Sequence, residues 1–258
     1  VNEIIEFLNS HASVRHFTEE PITEWEAETI LKTAQRSPTS SNLHAYSVVS
    51  LREKAKKKEL AKLTGGQEHV ARCSLFLVWC ADLFRLKMLA TERAYDFHGG
   101  TAESFIIAVV DTALAASRAL MAAQALGLGG VMVGGIRNEP SKVAELLDLP
   151  ELVTPIMGMS LGHPANKAKL KPRLPLGGLH FRESYDQSAI SAAVANYDTT
   201  ISELGYLKGR EVEAERYSGF DGDYSWSEHS ARRMASNKAT VMRPHMLEFL
   251  RSRGFLQE

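Results

Sequence analysis

The chain has 258 residues, with 30 Lys+Arg against 31 Asp+Glu for a formal net charge of −1, 44% hydrophobic residues and 24% charged ones. That composition belongs to a folded chain, long enough for one large domain or two small ones, and it excludes disorder. Near-zero charge argues against a nucleic-acid binder, and two cysteines, Cys73 and Cys80, cannot build a disulfide framework or a structural zinc site.

In chain order, Ile4, Ile5, Phe7 and Leu8 fall at helical spacing, and the opening Val1–Ile5 carries an acid where a secretory leader is basic. A cytoplasmic chain is therefore expected. Thr23 with Glu26 forms a capping box that opens a helix from Glu24 to Arg36. The polar run Ser37–Asn42 is a loop. Tyr46–Leu51 reads as a strand, Glu53–Leu63 as a basic surface helix, and the apolar run Ser74–Ala81 as a buried strand. A long apolar helix is expected from Glu103 to Leu126. Asp111 and Arg118 interrupt it, which argues against a membrane span. Being apolar nearly all round, it is expected to be buried on nearly all faces, shared with a second subunit.

Gly127–Gly130 ends that helix and leads to strands at Val131–Ile136 and Pro155–Leu161, separated by a short helix from Pro140 to about Leu147. Residues 176–226 read as an extended arm, and Ser227–Leu250 as a final helix. The order of elements gives an α+β protein whose helices wrap a central mixed sheet. Two divisions follow, a core over residues 1–175 and a C-terminal arm and helix over 176–258 that pack on a partner.

Several motifs compete for the chemistry. Gly158–Gly162 matches the G-x-S-x-G nucleophile elbow around Ser160, but Pro164 blocks the helix that such an elbow needs after its serine. Gly127–Gly135 lacks the third glycine of a dinucleotide fingerprint and runs from helix to strand, the reverse order. Gly134 and Gly135 either make a tight turn or let a flat ligand approach the backbone. The basic run between Arg52 and Lys62 is a solvated helix face, and neither Asp221–Asp223 nor any histidine pair has metal-ligand spacing. Ser13 with Arg15, the hydroxyls of Thr39, Ser40 and Ser41, and Lys171 with Arg173 around Pro172 are donor sets of the kind that bind phosphate.

The segments His11–Thr18 (HASVRHFT), Gly65–Gln67, Gly127–Asn138 (GLGGVMVGGIRN), Gly162–Pro164 and Leu170–Pro175 (LKPRLP) together resemble the nitroreductase superfamily. The likeness is to its NADPH-dependent oxygen-insensitive nitroreductases and flavin reductases, over about residues 2–204 and again in the final helix. It implies an intertwined α+β homodimer holding one FMN per subunit. His11, Ser13 and Arg15 would hold FMN near its phosphate, with Arg173 completing the anion site. Thr39, Ser40 and Ser41 match a loop that reaches the flavin from the other subunit. Gln67 would bond the ring edge, Val133, Gly134 and Gly135 would lie against the ring, and Lys171 matches a lysine on the pyrimidine and ribityl side. Ala12 stands where the family usually has an arginine.

In the tail, the family's Tyr-Tyr-x-x-Arg segment is replaced by one carrying Lys208, Arg210 and Arg216, the candidates for the NADPH 2′-phosphate, followed by an insertion over 217–226. The implied activity is an FMN-dependent NAD(P)H oxidoreductase that reduces nitroaromatics, quinones or flavins by two-electron ping-pong exchange in one pocket. Its partners would be NADPH or NADH and a small aromatic acceptor, with no metal, nucleic acid or membrane. A reductase that releases reduced FMN, a flavin store or sensor without turnover, and a hydrolase built on Ser160 are the alternatives.

Overall fold

The computed structural model describes residues 2–257. Its centre is a four-stranded sheet of β1 (Tyr46–Leu51), β2 (Leu75–Asp82), β3 (Gly129–Val133) and β4 (Val153–Gly162), in the order β1-β2-β4-β3. The α+β class holds, but the sheet is not mixed: every pairing among the described strands is antiparallel. Strand β2 is buried along its whole length, so its residues alternate between two covered faces rather than between core and water. Leu75, Leu77 and Trp79 pack with Met159 and Leu161 on one face. Phe76, Val78 and Cys80 pack with Val133, Leu60 and Val143 on the other. The β2–β4 register slips between Trp79, opposite Met157, and Cys80, opposite Pro155. Proline has no N–H for the ladder, and a bulge is where a strand tolerates it.

The helices are α1 (Glu3–Asn9), α2 (Glu24–Ala34), α3 (Lys54–Leu63), α4 (Glu68–Arg72), α5 (Phe84–Glu92), α6 (Ala102–Ala125), α7 (Pro140–Leu146), α8 (Ser188–Glu203), α9 (Trp226–Ala235), α10 (Ala239–Met242) and α11 (Met246–Ser252). Thr23 and Glu26 close the capping box of α2 in both directions. The long helix α6 lays an alanine stripe (Ala108, Ala115, Ala119, Ala123) into the core, where small side chains let the backbones approach. Its opposite face is not covered: Ile106, Val110 and Leu114 are 55%, 49% and 40% exposed. The expectation of burial on nearly all faces therefore fails for the single chain. By length and composition alone α6 would also pass for a membrane span.

Two compact units result. One joins the chain up to Lys169 with Arg243 onward, and the other is Leu170–Met242. The C-terminal stretch thus belongs with the sheet: Phe249, Leu250 and Phe255 are buried, and Leu152 N–H donates to Arg253 O at 2.8 Å. The expected helix over Ser227–Leu250 is broken into α9, α10 and α11. Pro244 cannot continue a helix, and Arg243 before it adopts φ +49°. Within the expected extended arm, the second unit carries α8, four turns long. Glycines 129 and 130, read as a helix stop, already belong to β3, and the strand ends at Val133 where a short 3₁₀ turn, Gly134–Arg137, begins.

Candidate functional site

Residues 11–18 run along the outer edge of β3 and the end of β4. Val14 N–H donates to Gly130 O at 3.0 Å, Thr18 N–H to His163 O at 2.9 Å, and Ala165 N–H to His16 O at 2.9 Å. The side chain of Val14 fills the space over Gly129, where an added Cβ would come within 2.7 Å of it. Only glycine there lets the segment approach. With Val14 turned inward, strand-like alternation turns Ser13 and Arg15 outward. Among the described residues, neither the Ser13 hydroxyl nor the Arg15 guanidinium has a hydrogen bond or ion pair to protein. His11 differs: its Nδ1 lies 3.3 Å from Gln124 Oε1 on the last turn of α6.

The 39–45 loop is held by Asp111, a buried carboxylate on α6. It accepts from the Thr39 hydroxyl and from the backbone N–H groups of Ser40 and Ala45, each N–H at 3.0 Å. The Thr39 hydroxyl also accepts from His44 N–H at 2.9 Å. Thr39 is therefore spent on the loop itself, whereas the hydroxyls of Ser40 and Ser41 keep no protein partner among the described residues. Ser41, Asn42 and His44 have φ of +48°, +57° and +50°. Left-handed backbone costs a non-glycine residue roughly 1–2 kcal/mol, so three in one loop need a strong anchor. Read from the sequence, Asp111 was only an interruption of an apolar run.

At the far end of β3, Gln67 meets the 3₁₀ turn. A Cβ on Gly135 would collide with Gln67 Nε2 and Thr64 O, so a glycine is required for this approach. Beside Gly134 the space is open, with Arg137 Nη2 the nearest atom at 3.6 Å. Gln67 Nε2 donates to Thr64 O at 2.7 Å, and its Oε1 lies 3.1 Å from His69 Nε2. His69 Nδ1 lies 3.0 Å from Ser160 Oγ. Burial, then the charges of Arg15 and His16, push the His69 pKa down to about 4. Arg15, His16, Phe17, Glu68, His69 and Arg72 border a cleft of about 370 Å³. The hydrolase alternative falls here. Ser160 is fully buried in the middle of a strand that continues to Gly162, so its hydroxyl cannot meet a substrate.

A larger apolar cavity of about 860 Å³ lies beside the edge strand β1, between Leu31, Leu43, Tyr46, Trp79 and Leu89. Asn42, Leu43 and His44 of the loop border it, but none of the expected flavin contacts lines it.

In the second unit, Lys171 and Arg210 flank the Tyr206 ring, Nζ at 5.2 Å and the guanidinium carbon at 4.9 Å from its centroid. A hydrogen bond with Lys171 is the main cause that holds the Tyr206 phenol below its usual pKa. Arg173 Nη1 donates to Lys171 O at 3.0 Å, which folds its side chain back on its own segment. Lys208 and Arg210 are exposed and carry no ion pair among the described residues, whereas Arg216 is paired with Glu213 at 3.2 Å. The insertion is built around Arg232, 5% exposed, whose guanidinium lies 4.5, 4.8 and 5.0 Å from the rings of Tyr217, Phe220 and Tyr224. Among the described residues, no cluster of three or more His, Cys, Asp or Glu could hold a metal.

This geometry belongs to a known lineage. The nitroreductase family matches residues 8–163, and the nitroreductase family C-terminal domain matches 171–258. The chain is a member of the nitroreductase family. It is 38% identical to an oxygen-insensitive NADPH nitroreductase of Salmonella typhimurium over 97% of each chain. It is 34% identical to an FMN reductase [NAD(P)H] of Bacillus subtilis over the full length of both. Among solved structures, Bacillus megaterium NfrA2 superposes with a TM-score of 0.88 at 33% identity, covering all of both chains. The NADPH:FMN oxidoreductase of Vibrio harveyi complexed with NAD+ gives 0.83 at 32% identity, also over all of both. The residues of this nitroreductase-family chain fit a flavin mononucleotide. Gly134 bares the backbone at the end of β3, Gln67 carries an amide beside the turn, and Ser13 and Arg15 are donors without protein acceptors among the described residues.

Proposed function

We propose that the protein is an FMN-dependent NAD(P)H oxidoreductase that reduces nitroaromatics, quinones or flavins by two-electron ping-pong exchange. The observation that carries this reading is the meeting of Gln67 with the Gly134–Gly135 turn, where Gly135 admits the Gln67 amide and Gly134 leaves open backbone beside it. When bound, FMN supplies the redox chemistry, taking two electrons from the nicotinamide and giving them to the acceptor. The chain supplies position and charge. Ser13 and Arg15 bind, His11 steadies their segment against α6, and Val133, Gly134 and Gly135 support the ring. Arg15, a cation with no carboxylate partner among the described residues, favours the form of the ligand that carries more negative charge. Ser40 and Ser41 offer hydroxyls from a loop whose shape Thr39 maintains. Arg173 is the second unit's candidate phosphate contact, and Lys171 its candidate for the pyrimidine and ribityl side. No side chain acts as an obligatory acid or base.

For the nucleotide, Lys208 and Arg210 are the readers of the 2′-phosphate best supported by their freedom from carboxylates. Arg216 shares its charge with Glu213. A homodimer is supported by the Ile106, Val110 and Leu114 stripe, which leaves one side of a 24-residue apolar helix in water. The absence of a cation at Ala12 supports exchangeable FMN and so release of reduced flavin as a second product. The test is an absorbance spectrum followed by anaerobic NADPH and then NADH. A flavin band bleached mainly by NADPH is expected. Bound flavin that neither nucleotide bleaches, or a colourless protein that FMN cannot reconstitute, overturns the proposal.

A further inference from the structure

We propose that His69 is a positioning residue: together with Thr64 O it holds the Gln67 amide in the orientation that presents an N–H donor, and not its carbonyl, to the flavin. This rests on the assignment of Gln67 to the flavin edge made above. Elimination places the protons. Thr64 O can only accept, and it lies 2.7 Å from Gln67, so the atom facing it is Nε2. Oε1 then faces His69 Nε2 at 3.1 Å and needs a donor, which makes Nε2 the protonated ring nitrogen. In neutral imidazole Nδ1 is then bare, and the Ser160 hydroxyl 3.0 Å away must donate to it.

The far end of this chain is rigid, because Ser160 sits fully buried in the central sheet with β2 and β3 on either side. Burial keeps the ring neutral at neutral pH, helped by Arg15 and His16. Turning the amide over would set Oε1 against Thr64 O, and Nε2 against the His69 N–H unless the ring proton moved to Nδ1 with Ser160 accepting it. The Thr64 contact turns repulsive in either case, and the His69 contact survives only through that exchange of tautomer. One Gln67 N–H is used by Thr64, so the second N–H is what remains to offer. A ring carbonyl is matched by that donor, whereas a ring N–H is refused. The carbonyl of a reduced ring, richer in electrons, accepts more strongly from it.

The experiment measures FMN affinity by fluorescence quenching, and the midpoint potential of the bound flavin, in wild type, His69→Phe, His69→Gln, Gln67→Ala and the Gln67→Ala/His69→Phe double variant. His69→Phe is expected to weaken FMN binding about five- to tenfold, the net worth of one hydrogen bond, and to lower the potential. His69→Gln restores an N–H toward Gln67 and is expected to recover most of both. In the Gln67→Ala background His69→Phe should add nothing. Should His69→Phe fail to fold, Ser160→Ala removes the donor to Nδ1 and is expected to weaken binding about two- to threefold. Weakening by His69→Phe that is equal in both backgrounds overturns the positioning role, as does no effect beside a clear effect of Gln67→Ala. If Gln67→Ala itself leaves affinity and potential unchanged, the flavin assignment of Gln67 falls and takes this inference with it.

Discussion

Replacing Asp111 with alanine removes the acceptor of three hydrogen bonds at once: the Thr39 hydroxyl and the N–H groups of Ser40 and Ala45. The carboxylate is 1% exposed and Ala45 is fully buried, so water does not simply take its place. The Thr39 hydroxyl can rotate to another acceptor, but two backbone N–H groups are left. At about 1.5–2.5 kcal/mol for each lost bond to a charged group, the cost is about 3–5 kcal/mol. The same change frees three left-handed residues, Ser41, Asn42 and His44, to relax toward ordinary backbone. Asp111→Asn keeps one oxygen and places an amide N–H against a donor, so about half of that loss is expected. Urea unfolding measures the global term. Hydrogen exchange at the Ala45 amide measures the local one, since that amide should lose its protection while those of β2 keep theirs. An alanine variant within about 1 kcal/mol of wild type, with Ala45 still protected, would refute the account of this loop.

Burial pushes the His69 pKa down to about 4 in the folded chain, below the 6.5 of a free imidazole, so the unfolded chain binds more protons between those values. Stability is therefore fully present above about pH 6.5 and falls as pH drops toward 4, a loss that urea titrations should find reduced in His69→Gln. Gly135→Ala drives a methyl into Gln67 and Thr64 O and should lower both FMN content and Tm by several degrees. Arg15→Ala should leave Tm within about 2 °C of wild type, because the guanidinium makes no hydrogen bond to protein among the described residues, while FMN affinity drops at least tenfold. Val110→Glu places a charge in the middle of the exposed stripe of α6 and should shift sedimentation toward monomer, whereas a monomeric wild type would remove the homodimer.

Local rules carried far in this chain. Tyr46–Leu51 is a strand at the boundaries its residues predict, the Thr23 capping box forms in both directions, and α6 begins and ends within one residue of expectation. These elements are written in contiguous patterns, each needing only its own neighbours. Helix α5 escaped because its amphipathic signal is weak and it buries no residue fully. Asp111 and His69 escaped for another reason. Their partners lie 66–72 and 91 residues away in sequence, and a single charged or aromatic residue announces nothing until the fold brings those partners up.

Three stretches of the chain share a physical feature that bears on function. Around 39–45, 65–69 and 129–135 the chain departs from local preference: left-handed non-glycine residues, glycines inside a strand, a histidine kept neutral by burial. Each departure costs stability locally, and two are held by a distant buried group, Asp111 for the 39–45 loop and Ser160 for the 65–69 stretch. A serine that looks like a nucleophile in the sequence serves instead as an inert anchor, and the donor it helps to aim is an amide two bonds along the relay. That division puts the rigid members in α6 and β4 and leaves the side chains of Ser13, Arg15, Ser40 and Ser41 without protein hydrogen bonds among the described residues. Such groups retain their hydrogen-bonding capacity for a ligand, and the fold supplies its anchors from residues that no ligand touches. The corollary separates two classes of variant: changes at Asp111 or Ser160 should move stability and binding together, whereas changes at Ser13 or Arg15 should move binding alone.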